Sequence, residues 1–174
     1  MKQVTVAGKA LSVIFAVLWM VGCASTDTSE ADAQAEAEAA ARAEQMAAEE
    51  ARQAEQMRKM KMLEDAVSAA GNVVYFEFDK STLNAATRRV LDAHIALLKT
   101  NSETVRLEGH ADERGTREYN MALGERRAKA VLDYMAVNGI GRGRIETVSY
   151  GEERPAVAGS GPAAWSKNRR VEIK

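Results

Sequence analysis

Residues 73–174 predict a mixed α/β (α+β) sandwich, and three patterns carry the prediction. Short stretches at 73–78, 104–110, 144–150 and 170–173 read as strands, those at 104–110 and 170–173 alternating apolar with charged residues as half-buried strands do. Between the first three lie two helical stretches, near 84–100, where apolar residues recur at helical spacing, and near 118–138. The order is then βαβαβ, a loop, and a last β, whose strand–helix–strand crossovers imply parallel neighbours with the helices on one face. About one hundred residues are enough for such a core.

The chain before this domain has a different character. Residues 1–9 carry Lys2 and Lys9, residues 10–21 run almost wholly apolar, and Gly22-Cys23 gives way to Ser, Thr, Asp and Glu. That is the pattern of a cleaved secretory signal over residues 1–22, because the apolar core is about a dozen residues and a spanning helix needs roughly twenty. Cys23 is the only cysteine, so no intramolecular disulfide can form, although export leads to an oxidising compartment.

Residues 31–70 are dominated by the helix formers Ala, Glu, Gln, Arg and Met, with no Pro or Gly. Apolar side chains larger than Ala are sparse before Met57, which reads as a solvated, partly formed helical spacer. Met46, Met57, Met60 and Met62 hint at a weak stripe toward Leu63 and Val67, but no heptad is sustained, so a spacer is favoured over a coiled-coil partner helix. Gly71-Asn72 breaks the pattern.

In the first strand Val74, Phe76 and Phe78 share a face. The following helix stacks Val90, Leu91, His94, Ile95 and Leu98 on one side, and His94 belongs to that stripe as a packed or hydrogen-bonded side chain. The second strand sets Val105 and Leu107 against Arg106 and Glu108. A polar loop at 111–117 leads into the second helix, which Gly139 is placed to end. After the third strand, a loop with Gly159, Gly161 and Pro162 precedes the last, where Val171 and Ile173 alternate.

Charge is unevenly spread. Residues 24–72 hold 5 Lys and Arg against 11 Asp and Glu, whereas residues 73–174 hold 17 against 14. An acidic tether carries a mildly basic head. That excess is too small and too mixed with carboxylates for a nucleic-acid surface.

The most informative stretch is 107–131, a polar loop joined to a helix with paired arginines. Asp112 is suited to accept from a cation or to order its own loop through backbone bonds. Arg126 and Arg127 form either a solvated helix face or half of a ligand clamp. Adjacent helical residues diverge by ~100°, so only one of them faces the loop.

These residues carry a resemblance. Gly-His-Ala-Asp at 109–112, Arg-Gly-Thr at 114–116 and Asn-x-x-Leu-Gly-x-Arg-Arg-Ala at 120–128 resemble the signature of OmpA-like peptidoglycan-binding domains, most closely the branch of peptidoglycan-associated lipoproteins. Val-Tyr-Phe-x-Phe-Asp at 74–79, Ser-Tyr-Gly-Glu-x-x-Pro at 149–155 and Ser-Lys-Asn-Arg-Arg-Val-Glu at 166–172 follow the same pattern in order. Arg117 stands where many members have Pro, and Trp165 where Tyr is common; both are expected to be peripheral to the binding atoms.

The resemblance implies that the domain grips the diaminopimelate residue of a peptidoglycan stem peptide. Its motif positions fall on Asp112, for the ammonium, and Arg127, for the carboxylate, the zwitterionic end needing an anion and a cation at matched separation. Backbone N–H groups of Arg114, Gly115 and Thr116 are expected to cradle peptide oxygens. Phe78, Asp79 and Leu123 are expected at the rim, and Arg169 in support. Arg126 is left to the surface.

Met20-Val21-Gly22-Cys23 resembles a bacterial lipobox, with Met20 where Leu is usual. It implies N-acyl and S-diacylglycerol chains on Cys23, each buried methylene contributing ~0.8 kcal/mol to anchoring. Without Asp after Cys23, the destination implied is the outer membrane, facing the periplasm. Residues 23–72 then form a lipidated linker, and the partners implied are diaminopimelate-type peptidoglycan, TolB and other Tol-system proteins acting in envelope constriction at cell division. The alternative is a single-span inner-membrane protein with the same wall-binding head, as in motor stators.

An enzyme is not expected, and no cofactor beyond the lipid. His110-x-Asp112 hints at a metal or acid–base pair, but with two histidines and one cysteine the usual zinc sets cannot be assembled. No Gly-x-Ser-x-Gly elbow occurs, and Gly141-Arg-Gly143 lacks the third glycine of a dinucleotide loop.

Overall fold

The computed structural model describes residues 28–174. The leader at 1–22 and Cys23 lie outside the described residues. In order, the elements are α1 (Thr28–Ala70), β1 (Val73–Tyr75), α2 (Ala85–Leu98), β2 (Val105–His110), α3 (Arg117–Val137), a 3₁₀ turn (Arg142–Arg144), β3 (Ile145–Gly151), α4 (Pro162–Asn168) and β4 (Arg170–Ile173). The chain divides into two compact units after Ala48. Of the first, the structure describes only helix, with exposed side chains from residue 32 onward.

The second unit begins with the remainder of α1. The composition of the tether carries helix to Ala70 without interruption, rather than the partly formed spacer expected. Of the methionine stripe only Met60 is half-buried, together with Leu63, Val67 and Ala70. Met57 and Met62 remain 73% and 72% exposed. Among the described residues no helix is long and apolar enough to cross a membrane.

The head is a mixed four-stranded sheet with order β1-β4-β2-β3. β2 and β3 pair in parallel, as their crossover through α3 requires, and β4 lies antiparallel to both β1 and β2. The crossover from β1 through α2 therefore does not place β1 beside β2, because the C-terminal strand inserts between them. Two antiparallel ladders satisfy the backbone of β4 on both edges, with Val171 opposite Val74 and opposite Gly109.

Burial follows the alternation through β2, whereas in β3 only Ile145 and Gly151 are buried. Val74, Val105, Leu107, Ile145, Val171 and Ile173 lie under the helices and join Leu91, Ile95 and Leu98 of α2 and Ala128, Val131 and Met135 of α3 in one core. The side chain of Asn84 accepts from Thr87 N at 2.8 Å to cap α2. His94 stays in the apolar stripe, its Nε2 2.9 Å from the Gly71 carbonyl. Gly139, at φ 98°, turns the chain out of α3.

Two local departures shape the site. β1 ends at Tyr75; one more bond, from Phe76 N to the Arg169 carbonyl at 2.9 Å, follows before the chain turns at 77–80, with Asp79 at φ 56°. Phe78 thus leaves the face of Val74 and Phe76 and is 57% exposed. The glycine-rich segment expected as loop contains α4, with Pro162 at its start. Seven residues give too short a period to announce a helix in the sequence.

Candidate functional site

The first turn of α3 is capped by the Thr116 hydroxyl, which accepts from Tyr119 N at 3.2 Å. From that start, helical spacing turns Asn120, Leu123, Gly124 and Arg127 inward, all buried. Arg126 is exposed and reaches over the Tyr119 ring. The paired arginines are thus separated as the ~100° step demands.

Arg127 has no exposed surface. Its Nε donates to the Lys80 carbonyl at 2.9 Å, its Nη1 to the His110 carbonyl at 2.8 Å and its Nη2 to the Glu77 carbonyl at 3.1 Å. The guanidinium therefore ties the turn after β1 to the end of β2. Three of its five N–H groups are used, and two remain. Among the described residues no carboxylate forms a salt bridge with it. Burial and the neighbouring Arg169 lower its pKa to about 10.

Asp112 is 4% exposed and stands where β2 runs into the polar loop. Its Oδ1 accepts from Arg114 N at 3.2 Å and Nε at 3.0 Å. Its Oδ2 accepts from Arg114 Nη2 at 2.6 Å and Arg169 Nη1 at 3.2 Å. Burial works against the carboxylate, but these bonds prevail and hold its pKa below the usual value. The Arg114 guanidinium in turn lies 3.9 Å from the Phe78 ring centroid and 4.1 Å from that of Trp165. Trp165, expected to be peripheral, packs on a site residue and donates from Nε1 to Glu113 at 2.8 Å.

These groups surround a cavity of about 200 Å³. Of the residues expected at the site, Phe78, Asp79, Asp112, Arg114, Gly115, Leu123, Arg127 and Arg169 line it. Thr116 does not; its hydroxyl serves the helix cap, and the turn carries it past the cavity. Tyr119 and Asn120 line it as well and were not singled out. Tyr119 donates its hydroxyl to Asp79. Asn120 is 1% exposed, and its Nδ2 reaches the Asp112 carbonyl at 3.0 Å, the Arg114 carbonyl at 3.1 Å and Glu152 Oε2 at 2.5 Å. Its place three residues before the inward-facing Leu123 was the available signal.

The cavity thus presents two carboxylates, Asp79 and Asp112, and three guanidinium groups, Arg114, Arg127 and Arg169. Among the described residues no group of three or more His, Cys, Asp or Glu side chains is placed to hold a metal ion.

Residues 75–169 match the OmpA family. The chain belongs to this family. The match runs from the end of β1 to Arg169, and so takes in every residue that lines the cavity. The OmpA-family chain is 52% identical over 111 residues to the peptidoglycan-associated lipoprotein of Pseudomonas putida, covering 64% of this chain and 67% of that one. The crystal structure of the peptidoglycan-associated lipoprotein from Burkholderia pseudomallei superposes with a TM-score of 0.58 at 38% identity, covering 60% of this chain and 89% of that one. The C-terminal domain of Helicobacter pylori MotB, at 19% identity, TM-score 0.55 and coverage of 60% and 83%, shares the fold alone. The chain spans about two thirds of the length of its P. putida relative.

Proposed function

We propose that this OmpA-family head is a non-enzymatic receptor that binds peptidoglycan through the diaminopimelate of its stem peptide. The observation that carries the reading is Arg127, a buried cation without a carboxylate partner among the described residues, facing a cavity that also holds Asp79 and Asp112. A buried charge calls for a counter-charge, and a ligand carboxylate provides one to the two unused N–H groups. The zwitterionic end of diaminopimelate brings a carboxylate and an ammonium on one carbon, so it complements a cavity of both signs. The name of the P. putida relative supports the wall as the source of that ligand.

Joined to a lipid on Cys23, such a head ties the outer membrane to the cell wall, because a tether raises its effective concentration at the wall. In this reading the chain acts with TolB and other Tol-system proteins in envelope constriction at cell division. The test is co-sedimentation of the full chain with purified diaminopimelate-type sacculi, beside Asp112→Asn and Arg127→Lys. Pelleting of the parent and its loss in both folded variants is expected. Pelleting that neither substitution weakens removes the ligand from this cavity. Mass spectrometry of the chain purified from membranes is expected to show residues 1–22 removed and Cys23 diacylated.

A further inference from the structure

If a ligand ammonium is to reach Asp112, something must first leave it. An ionised carboxylate offers about four lone-pair sites, and Asp112 fills four with Arg114 N, Nε and Nη2 and with Arg169 Nη1. The carboxylate is saturated before any ligand arrives.

The occupants differ in how firmly they are held. Arg169 is 15% exposed at its side chain and is tied back by its Nε to the Phe76 carbonyl at 3.0 Å. Arg114 is 33% exposed at its side chain, and among the described residues its guanidinium meets, besides Asp112, the Phe78 and Trp165 ring faces, with the Glu113 charge nearby. Ring contacts are non-directional enough to tolerate a shift, and next to Arg114 is Gly115 at φ 110°. Arg114 N, by contrast, is fixed by the loop, whose carbonyl at residue 114 is bonded by Asn120.

From this we propose that the Arg114 guanidinium is an internal stand-in for the ligand's cation, a latch that occupies Asp112 in the free protein and is displaced when an ammonium binds. The inference rests on the diaminopimelate reading above. Displacement opens Oδ1 and Oδ2 on the cavity side while the backbone N–H of Arg114 and the Nη1 of Arg169 keep Asp112 in place. The ammonium replaces one cation by another, so the positive charge facing Asp112 is conserved. The ligand carboxylate adds its bond to Arg127, which the latch cannot satisfy. Only the open fraction is competent to bind, and the apparent dissociation constant is raised by the reciprocal of that fraction.

The test is calorimetric titration of the full chain with a soluble diaminopimelate-containing stem peptide at fixed salt, for the parent, Arg114→Gln and Asp112→Asn. Removing the guanidinium leaves the backbone N–H that positions Asp112, so Arg114→Gln is expected to bind at least about threefold more tightly than the parent, and Asp112→Asn to bind weakly or not at all. Equal or weaker binding by Arg114→Gln, with the parent binding and Asp112→Asn impaired, overturns the latch and leaves the wall-ligand reading standing. No binding by the parent or by Arg114→Gln overturns both. As a second readout, the Trp165 Nε1–H resonance of the parent is expected to shift on ligand addition as the guanidinium leaves its ring; an unchanged resonance in a chain that binds overturns the displacement.

Discussion

Gly109 of β2 and Gly124 of α3 meet backbone to backbone: a Cβ on Gly109 would overlap the Gly124 carbonyl, and a Cβ on Gly124 would lie 2.8 Å from Gly109 O. This close approach sets the height of α3 over the sheet, one turn before Arg127 and one residue before His110. Propensity alone favours Gly124→Ala by about 1 kcal/mol in a helix interior. Overpacking in a rigid interior opposes it by ~1–3 kcal/mol, and the Ser149 hydroxyl, which donates to Met121 O at 2.6 Å, crowds the same space.

Gly109→Ala is therefore expected to destabilise by about 3 kcal/mol and Gly124→Ala by up to about 2 kcal/mol net. Urea unfolding with a constant m-value measures this. An unchanged or raised midpoint for Gly124→Ala would show that the helix can lift off the sheet without loss.

Arg127 serves structure and site together, so its variants should separate the two. Arg127→Ala strands the carbonyls of Glu77, Lys80 and His110 and empties a fully buried volume. Losses of this kind amount to roughly 3–5 kcal/mol. Arg127→Lys keeps a charge but cannot span three acceptors in the fork geometry of guanidinium. It is expected to lose about 1–2 kcal/mol of stability and still to abolish ligand binding. Denaturation and titration on the same samples check this; wild-type affinity in a folded Arg127→Lys chain would confine Arg127 to a structural role.

Much of this arrangement was legible beforehand. The positions of α2, β2, α3, β3 and β4 were legible to within a residue or two; α2, β2 and β4 each bury one face and so write their period into the sequence, whereas the burial of β3 does not alternate. Strand order was not legible: that β4 enters between β1 and β2 depends on which edges remain unpaired, a non-local matter. Phe78 continued the alternation of β1 but left the face, because the chain turns through Asp79 rather than extending. Trp165 was hidden by the brevity of α4. Most of the residues that line the cavity were named through the family resemblance, but that Asp112 is saturated by Arg114 and Arg169 emerges only when residues 57 apart in sequence are brought together.

Asn120 is the organiser that the motif spacing left unexplained. Its amide faces three acceptors, two of them carbonyls of the Asp112–Arg114 loop and one the Glu152 carboxylate. Asn120→Asp keeps the shape but turns a donor into an acceptor pointed at three oxygens. A stability loss of about 2–3 kcal/mol is expected, with ligand affinity falling as the loop loosens. Asn120→Asp with wild-type stability at pH 7 would mean that the loop is held by Arg114 alone.

His110 sets how the head responds to acid. Its ring is 1% exposed, and neither nitrogen has a hydrogen-bond partner among the described residues. Facing it are Tyr150 of β3, with ring centroids 5.5 Å apart, and Arg170 and Glu172 of β4, the Glu172 Oε1 lying 4.0 Å from Nε2. Arg154 and Lys174 add positive charge nearby. Burial and the Arg170 guanidinium lower the pKa of His110 to about 4 from an ordinary 6.5. Between those values the unfolded chain binds more protons than the folded one, so stability is full above pH 6.5 and is lost as pH falls toward 4. By pH 5 the loss from this residue is about 1–2 kcal/mol. Glu172 acts lower: despite burial, Lys174 and Arg170 hold it at about 2 against 4.5, and its contribution disappears only below pH 4.5. His110→Phe keeps a ring against Tyr150 and removes the titrating group, so its stability should be nearly flat from pH 7 to 5 and then fall with the parent's below pH 4.5. Guanidinium unfolding at pH 7, 6, 5 and 4 resolves the two windows, and a His110→Phe chain that still lost about 1–2 kcal/mol by pH 5 would transfer the upper window to another group.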